Sequence, residues 1–134
     1  MAAAAGPFLE SAGVAARCEV VARDFFAGVP AGADRYLLAN VLHDWDDDRA
    51  AAILERCRRA MAPGGRVLII ERLIPCDPAQ ALPALLSDIN MLVVTGGMER
   101  TNAEYAALLA AAGLRLAQVT AVAPPYGVIE GVRA

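Results

Sequence analysis

The sequence predicts an α/β fold, a sheet with crossover helices, and three consecutive stretches carry that expectation. Arg35-Tyr36-Leu37-Leu38-Ala39-Asn40-Val41-Leu42 has the near-continuous hydrophobicity of a strand buried on both faces. From Asp46 to Met61, Ala50, Ile53, Leu54, Cys57 and Met61 recur at three- and four-residue steps among charged neighbours, which is an amphipathic helix. Pro63-Gly64-Gly65 stops it, and Arg66-Val67-Leu68-Ile69-Ile70-Glu71 reads as a second buried strand. Strand, helix, strand is the unit of a parallel sheet.

The remaining elements follow from local signals. An Ala-rich helical segment running through Leu9 to Val14 meets a stop at Gly13, and Cys18-Glu19-Val20-Val21-Ala22 reads as a short strand. Pro30-Ala31-Gly32-Ala33-Asp34 is a turn. Asp46, Asp47 and Asp48 suit the positive end of the amphipathic helix. A further helix is expected from about Ala81 to Val94, followed by Gly96-Gly97, and Thr101-Asn102-Ala103-Glu104 is a capping box for another that Gly113 ends. Leu114 to Val122 and Gly127 to Val132, separated by Pro124-Pro125, read as a closing antiparallel hairpin.

With 134 residues, 57% of them hydrophobic, the chain has material for one core. Its 12 basic residues, all Arg, stand against 15 acidic ones, and the net charge of −3 disfavours a nucleic-acid partner. Asp, Glu, Arg, Gly or Pro breaks every apolar run before the roughly 18 residues that a membrane span needs, so no membrane partner is expected. Met1-Ala2-Ala3-Ala4-Ala5 lacks the basic start and continuous apolar stretch of a signal peptide, and the expected location is cytoplasmic. Cys18, Cys57 and Cys76 form no CxxC pair and are expected to be reduced, semi-buried thiols without zinc.

His43 is the single histidine, placed just after a strand where open parallel sheets keep their ligand crevice. On position alone it is either a loop histidine satisfying a local hydrogen bond or a proton acceptor. Glu71 ends the neighbouring strand, so parallel strands would bring its carboxylate to the same edge. A carboxylate beside an imidazole holds one tautomer and leaves the other nitrogen to accept a proton. Glu71 is otherwise an ordinary exposed strand end. Asp24-Phe25-Phe26 offers a carboxylate beside aromatic rings, the chemistry of a purine contact, although Phe25 and Phe26 taken alone are more often core. The acidic run Asp44 to Asp48 has no second histidine to share a cation, so no metal is expected.

Leu42-His43-Asp44-Trp45-Asp46-Asp47, Pro63-Gly64-Gly65-Arg66-Val67-Leu68-Ile69-Ile70-Glu71 and Gly96-Gly97-Met98-Glu99-Arg100-Thr101 closely resemble, in order and spacing, the S-adenosylmethionine-dependent O-methyltransferases of the plant-caffeate and bacterial-antibiotic type. The likeness runs from about residue 8 to the C-terminus. It implies a partial class I methyltransferase (Rossmann-like) sheet, with S-adenosyl-L-methionine as cofactor and a small hydroxylated, phenolic or polyketide-type molecule as substrate. By the same resemblance His43 is the general base, flanked by Glu71 and Glu99. Asp24, Phe25 and Trp45 correspond to cofactor contacts, and Met91, Asn90 and Thr95 to substrate-lining positions. Ala39 departs from the lysine that plant members often carry four residues before the base.

The family's glycine-rich cofactor loop, its first two strands and its N-terminal dimerisation domain have no counterpart in the sequence. Residues 1–134 are therefore expected to be the C-terminal portion of an O-methyltransferase catalytic domain. The missing strands are those that join the family's third strand, here Cys18 to Ala22, to its fourth, so that segment must either pair directly with Arg35 to Leu42 or dangle. The family's homodimer is not assignable to this chain. The alternative is a non-catalytic remnant or interaction module, or one half of a split methyltransferase.

Overall fold

The computed structural model describes residues 2–134; Met1, the first residue of the Met1–Ala5 stretch, lies outside the described residues. Helix α1 spans Ala2–Ser11, and Gly13 follows with a φ of +69°, the left-handed geometry that glycine adopts without penalty. Strands β1 (Arg35–Ala39), β2 (Arg66–Arg72), β3 (Leu114–Ala121) and β4 (Tyr126–Arg133) build one sheet in the order β1-β2-β4-β3. β1 and β2 run parallel, with Ala39 opposite Ile70, whereas β4 is antiparallel to both of its neighbours. The sheet is mixed, and the β3–β4 hairpin forms as its spacing predicts.

Helix α2 (Asp47–Ala60) is the crossover between the parallel strands. The Asp46 carboxylate accepts the Arg49 N–H at 2.9 Å as N-cap, and Asp47 and Asp48 occupy the first turn. Its inward stripe of Ala50, Ile53, Leu54 and Cys57 joins Val67 and Ile69 of β2, Leu109 of α4 (Asn102–Ala111) and Ile129 of β4 in one core. Gly131 permits the α4–β4 contact, because a β-carbon there would stand 2.7 Å from Leu109 Cδ2. Thr101 and Glu104 cap α4 reciprocally: Glu104 accepts the Thr101 N–H at 2.7 Å, and Thr101 Oγ1 accepts that of Glu104.

Three expectations need correction. Cys18 to Ala22 is exposed chain without strand pairing, because no strand of the sheet lies beside it to supply a ladder. Strand β1 stops at Ala39, three residues early, since Asn40 turns the chain at a φ of +51°. It is also not buried on both faces: Tyr36 and Leu38 face the core, while Leu37 on the opposite face is 60% exposed. Of the cysteines only Cys57 is buried, and burial pushes its thiol up to about 11; Cys18 and Cys76 are exposed.

Helix α3 (Pro78–Val94) starts three residues before the expected Ala81, because Asp77 caps it by accepting the Ala79 N–H at 3.0 Å and Pro78 fits its first turn. Ala81 and Ala84 are its buried residues, while Leu82, Leu86, Ile89 and Val93 are exposed. No helix among the described residues is long and apolar enough to cross a membrane. The packing asymmetry between α2 and α3 is measurable by urea unfolding. Leu54→Ala, which opens a cavity, should cost about 2–5 kcal/mol, whereas Leu86→Ala should stay within about 0.5 kcal/mol.

Candidate active site

The site forms where β1 and β2 end. The Asn40 N–H still donates to Ile70 O at 3.0 Å, continuing the ladder, and the left-handed turn at Asn40 then swings the next amides toward β2. Val41 and Leu42 donate their N–H groups to Glu71 Oε1 at 2.9 and 2.8 Å. Leu42 is fully buried and anchors the short 3₁₀ turn Leu42–Asp44 that carries His43.

The His43 ring is 15% exposed, with Nδ1 turned inward. Nδ1 lies 3.6 Å from Glu71 Oε2 and 3.5 Å from Glu99 Oε1, while Nε2 lies 3.7 Å from Asp44 Oδ1. Both glutamates are buried. Glu99 is held from α3, where Ser87 donates its hydroxyl to Oε1 at 2.7 Å and Asp88 accepts the Glu99 N–H at 2.8 Å. Arg72 Nε stands 3.8 Å from the same oxygen. His43 Nδ1, Glu71 Oε2 and Glu99 Oε2 make no hydrogen bond, and a small ring movement would close the gap of 3.6 Å between Nδ1 and Glu71 Oε2.

A ring whose Nδ1 faces two carboxylates keeps its proton there, which leaves Nε2 as a proton acceptor. The same three side chains also place one ligand atom each within 4.8 Å of one another, so the set could accept a small cation instead. Burial lifts the Glu71 carboxyl above its ordinary value, against the pull of His43 and of the Val41 and Leu42 amides.

The expected aromatic contacts also assemble. Phe26 and Trp45 meet edge-to-face with ring centres 4.9 Å apart, Phe25 lies 4.9 Å from Phe26, and the Arg49 guanidinium sits 5.4 Å over the indole. All three rings are half-buried against the core, the packing that paired phenylalanines adopt. Asp24 is exposed, and its Oδ1 accepts the Phe26 N–H at 2.9 Å. Met91 is half-buried near the end of α3, whereas Asn90 and Thr95 are exposed. The Thr95 hydroxyl is occupied in closing the helix, donating to Met91 O at 2.9 Å and accepting the Gly97 N–H at 3.2 Å. None of Met91, Asn90 and Thr95 is hydrogen-bonded to the His43 cluster. In the acidic run, Asp46 caps α2 and Asp47 pairs with Arg100.

Three contributors escaped the sequence reading. Ser87 and Asp88 reach Glu99 across a distance in sequence that no local pattern marks. Gly97 lies so close to the His43 turn that a β-carbon would strike His43 O and stand 2.8 Å from Trp45 N. Its signal was present in the Gly-Gly preceding Glu99, where glycine permits close backbone approach.

A family model for the O-methyltransferase domain matches residues 1–115. The chain is 45% identical over 127 residues, 94% of its length, to the mitomycin biosynthesis 6-O-methyltransferase of Streptomyces lavendulae, and spans 36% of that protein. Among solved structures it superposes on a mitomycin 7-O-methyltransferase with a TM-score of 0.94 at 43% identity, covering 99% of this chain and 39% of that one. An O-methyltransferase from neocarzinostatin biosynthesis, solved with S-adenosylmethionine and 2-hydroxy-5-methyl naphthoic acid, matches with a TM-score of 0.88 at 38% identity, covering 99% of this chain and 38% of that one. The chain thus spans well under half the length of the relatives it matches.

Two outcomes follow from the geometry. Gly97→Ala should displace the His43 turn and destabilise the chain by about 1–3 kcal/mol, read by urea unfolding. Glu71 binds its proton more tightly in the folded chain than in the unfolded one, so its contribution is full below the ordinary 4.5 and is lost as pH rises through the higher folded value. Unfolding free energies of the wild type and Glu71→Gln, compared from about pH 4 upward, should show that the wild type loses stability relative to the variant as pH rises.

Proposed function

The chain belongs to the O-methyltransferase domain family, and from that premise we propose that it takes part in methyl transfer from S-adenosylmethionine to a hydroxyl of a small aromatic or polyketide-type molecule. The observation that carries the reading is the buried Glu71–His43–Glu99 cluster at the carboxyl edge of the parallel strands. The naphthoic acid in the neocarzinostatin enzyme's structure supports an aromatic acceptor. We also read residues 1–134 as the C-terminal portion of a catalytic domain. The outer edge of β1 and the apolar side of α3 are surfaces that a larger sheet and its neighbours would cover.

The donor set suits the cofactor. The exposed Asp24 carboxylate beside the half-buried Phe25 and Trp45 rings combines a hydrogen-bond acceptor with apolar surface, which is what a purine nucleoside requires. When bound, S-adenosylmethionine supplies a methyl group already activated on a sulfonium. The chain's part is to position and deprotonate the acceptor. His43 Nε2 takes the hydroxyl proton as the oxygen gains the methyl, leaving a methyl ether, a neutral thioether and an imidazolium. Glu71 and Glu99 face that imidazolium through Nδ1–H and orient the ring. Met91, Asn90 and Thr95 would border the acceptor, with Met91 packing on an aromatic ring.

The test uses methyl-labelled S-adenosylmethionine with hydroxynaphthoic acids as acceptors. His43→Gln should lower turnover by about 10²–10⁴-fold while calorimetric binding of S-adenosylhomocysteine is unchanged. Full turnover by the variant would overturn the role of His43 as base. Retained structure with no binding and no turnover in the wild-type chain would instead favour the non-catalytic module.

A further inference from the structure

Arg100, next to Glu99 in the chain, is fully buried. A buried guanidinium is retained only where its donors are met. Arg100 donates four hydrogen bonds, and Nη2 adds an ion-pair contact. Nε and Nη2 lie 3.0 and 2.8 Å from Asp47 Oδ1, Nη1 lies 3.1 Å from Leu42 O and 3.4 Å from Met98 O, and Nη2 lies 2.9 Å from Trp45 O. Two of these acceptors, Leu42 O and Trp45 O, flank His43 in the chain. Of the two carbonyls between them, His43 O accepts the Met98 N–H at 2.9 Å.

One short segment therefore grips the histidine turn from outside and its ring from within. Gly97 makes the approach possible, Met98 bonds the His43 carbonyl, Glu99 faces Nδ1 and Arg100 spans the turn. The backbone of Arg100 is in turn tied to the chain just beyond Glu71, as Ile74 N–H donates to Arg100 O at 3.1 Å and Leu73 bridges Arg100 in parallel. Tyr105, also fully buried, lies within the electrostatic reach of both Arg100 and Glu71, and burial holds its hydroxyl neutral well above the usual range.

We infer that Arg100 is a positioning residue for His43, its guanidinium clamping the carbonyls on both sides of the histidine so that Nδ1 stays between Glu71 and Glu99 and Nε2 points outward. The inference rests on the reading of His43 as base, but its geometry is independent of any acceptor or cofactor. Lysine cannot replace the clamp. An ammonium carries three donors on one atom, whereas the planar fork reaches Leu42 O, Trp45 O and Asp47 together.

Because His43 is the chain's single histidine, its ring nitrogens are assigned without ambiguity in a ¹⁵N spectrum of the whole chain. At a pH where the ring is neutral, the wild type should show one set of shifts with the proton on Nδ1. Arg100→Lys should show a mixture of both tautomers or a second set of signals, while circular dichroism stays that of the wild type. An unchanged tautomer in folded Arg100→Lys overturns the inference. Should that variant not fold, Asp47→Ala decides, since Asp47 is exposed and its loss frees only one arm of the clamp. A smaller shift of the tautomer in the same direction supports the clamp, and none overturns it. The spectrum needs no turnover, so it can fail while methyl transfer stands, and the reverse.

Discussion

Burying the Glu71 carboxylate costs several kcal/mol unless its charge is compensated, and the arrangement of the site is the compensation. Glu71 continues the row of Val67 and Ile69 on the inward face of β2, a position that periodicity alone would give to an aliphatic side chain. Two amides on one oxygen and an imidazole facing the other make it tolerable. Those amides are available because Asn40 leaves the strand in left-handed geometry and turns Val41 and Leu42 back toward β2. The strained residue, the shortened strand and the inward histidine thus answer to one buried charge.

The rest of the fold divides by how strongly it depends on that centre. Helix α2 and β2 carry the core, and α4 is locked onto β4 through Gly131. α3 touches the centre through Ser87 and Asp88 near its middle, yet its apolar side chains remain largely in water. The groups expected to handle the proton are consequently fixed by packing. Those expected to border an acceptor lie toward the end of a helix whose outer face packs on nothing described.

Legibility in the sequence followed the range of the interactions. Helix α2, the Thr101 capping box and the hairpin are written in spacings of a few residues, and they formed as read. Cys18 to Ala22 has strand composition, but a strand is a pairing, and composition does not supply the partner. β1 departs on one face: its apolar run suits a strand covered on both sides, and Leu37 meets no covering layer among the described residues. His43, Glu71 and Glu99 could be named because a motif marks each, and the parallel register then brings two of them to one edge. Ser87, Asp88 and the clamp of Arg100 join residues 11 to 58 positions apart, where no periodicity reaches.

The clamp also explains why one short segment carries both an acid and a guanidinium. A proton arriving on His43 changes the charge beside Glu71 and Glu99, and in water such a change is met by solvent reorienting. In a buried site that work must be done beforehand by fixed groups, or the protein must move during the reaction. Here Glu71 is held by backbone amides, Glu99 by Ser87, and the histidine turn by Arg100 and Met98. The holding groups come from three segments, the Val41 and Leu42 amides, Ser87 of α3, and Met98 with Arg100, and they lock one another in place. The ring can exchange its Nε2 proton with whatever stands outside it while Nδ1 and its two carboxylates keep their places.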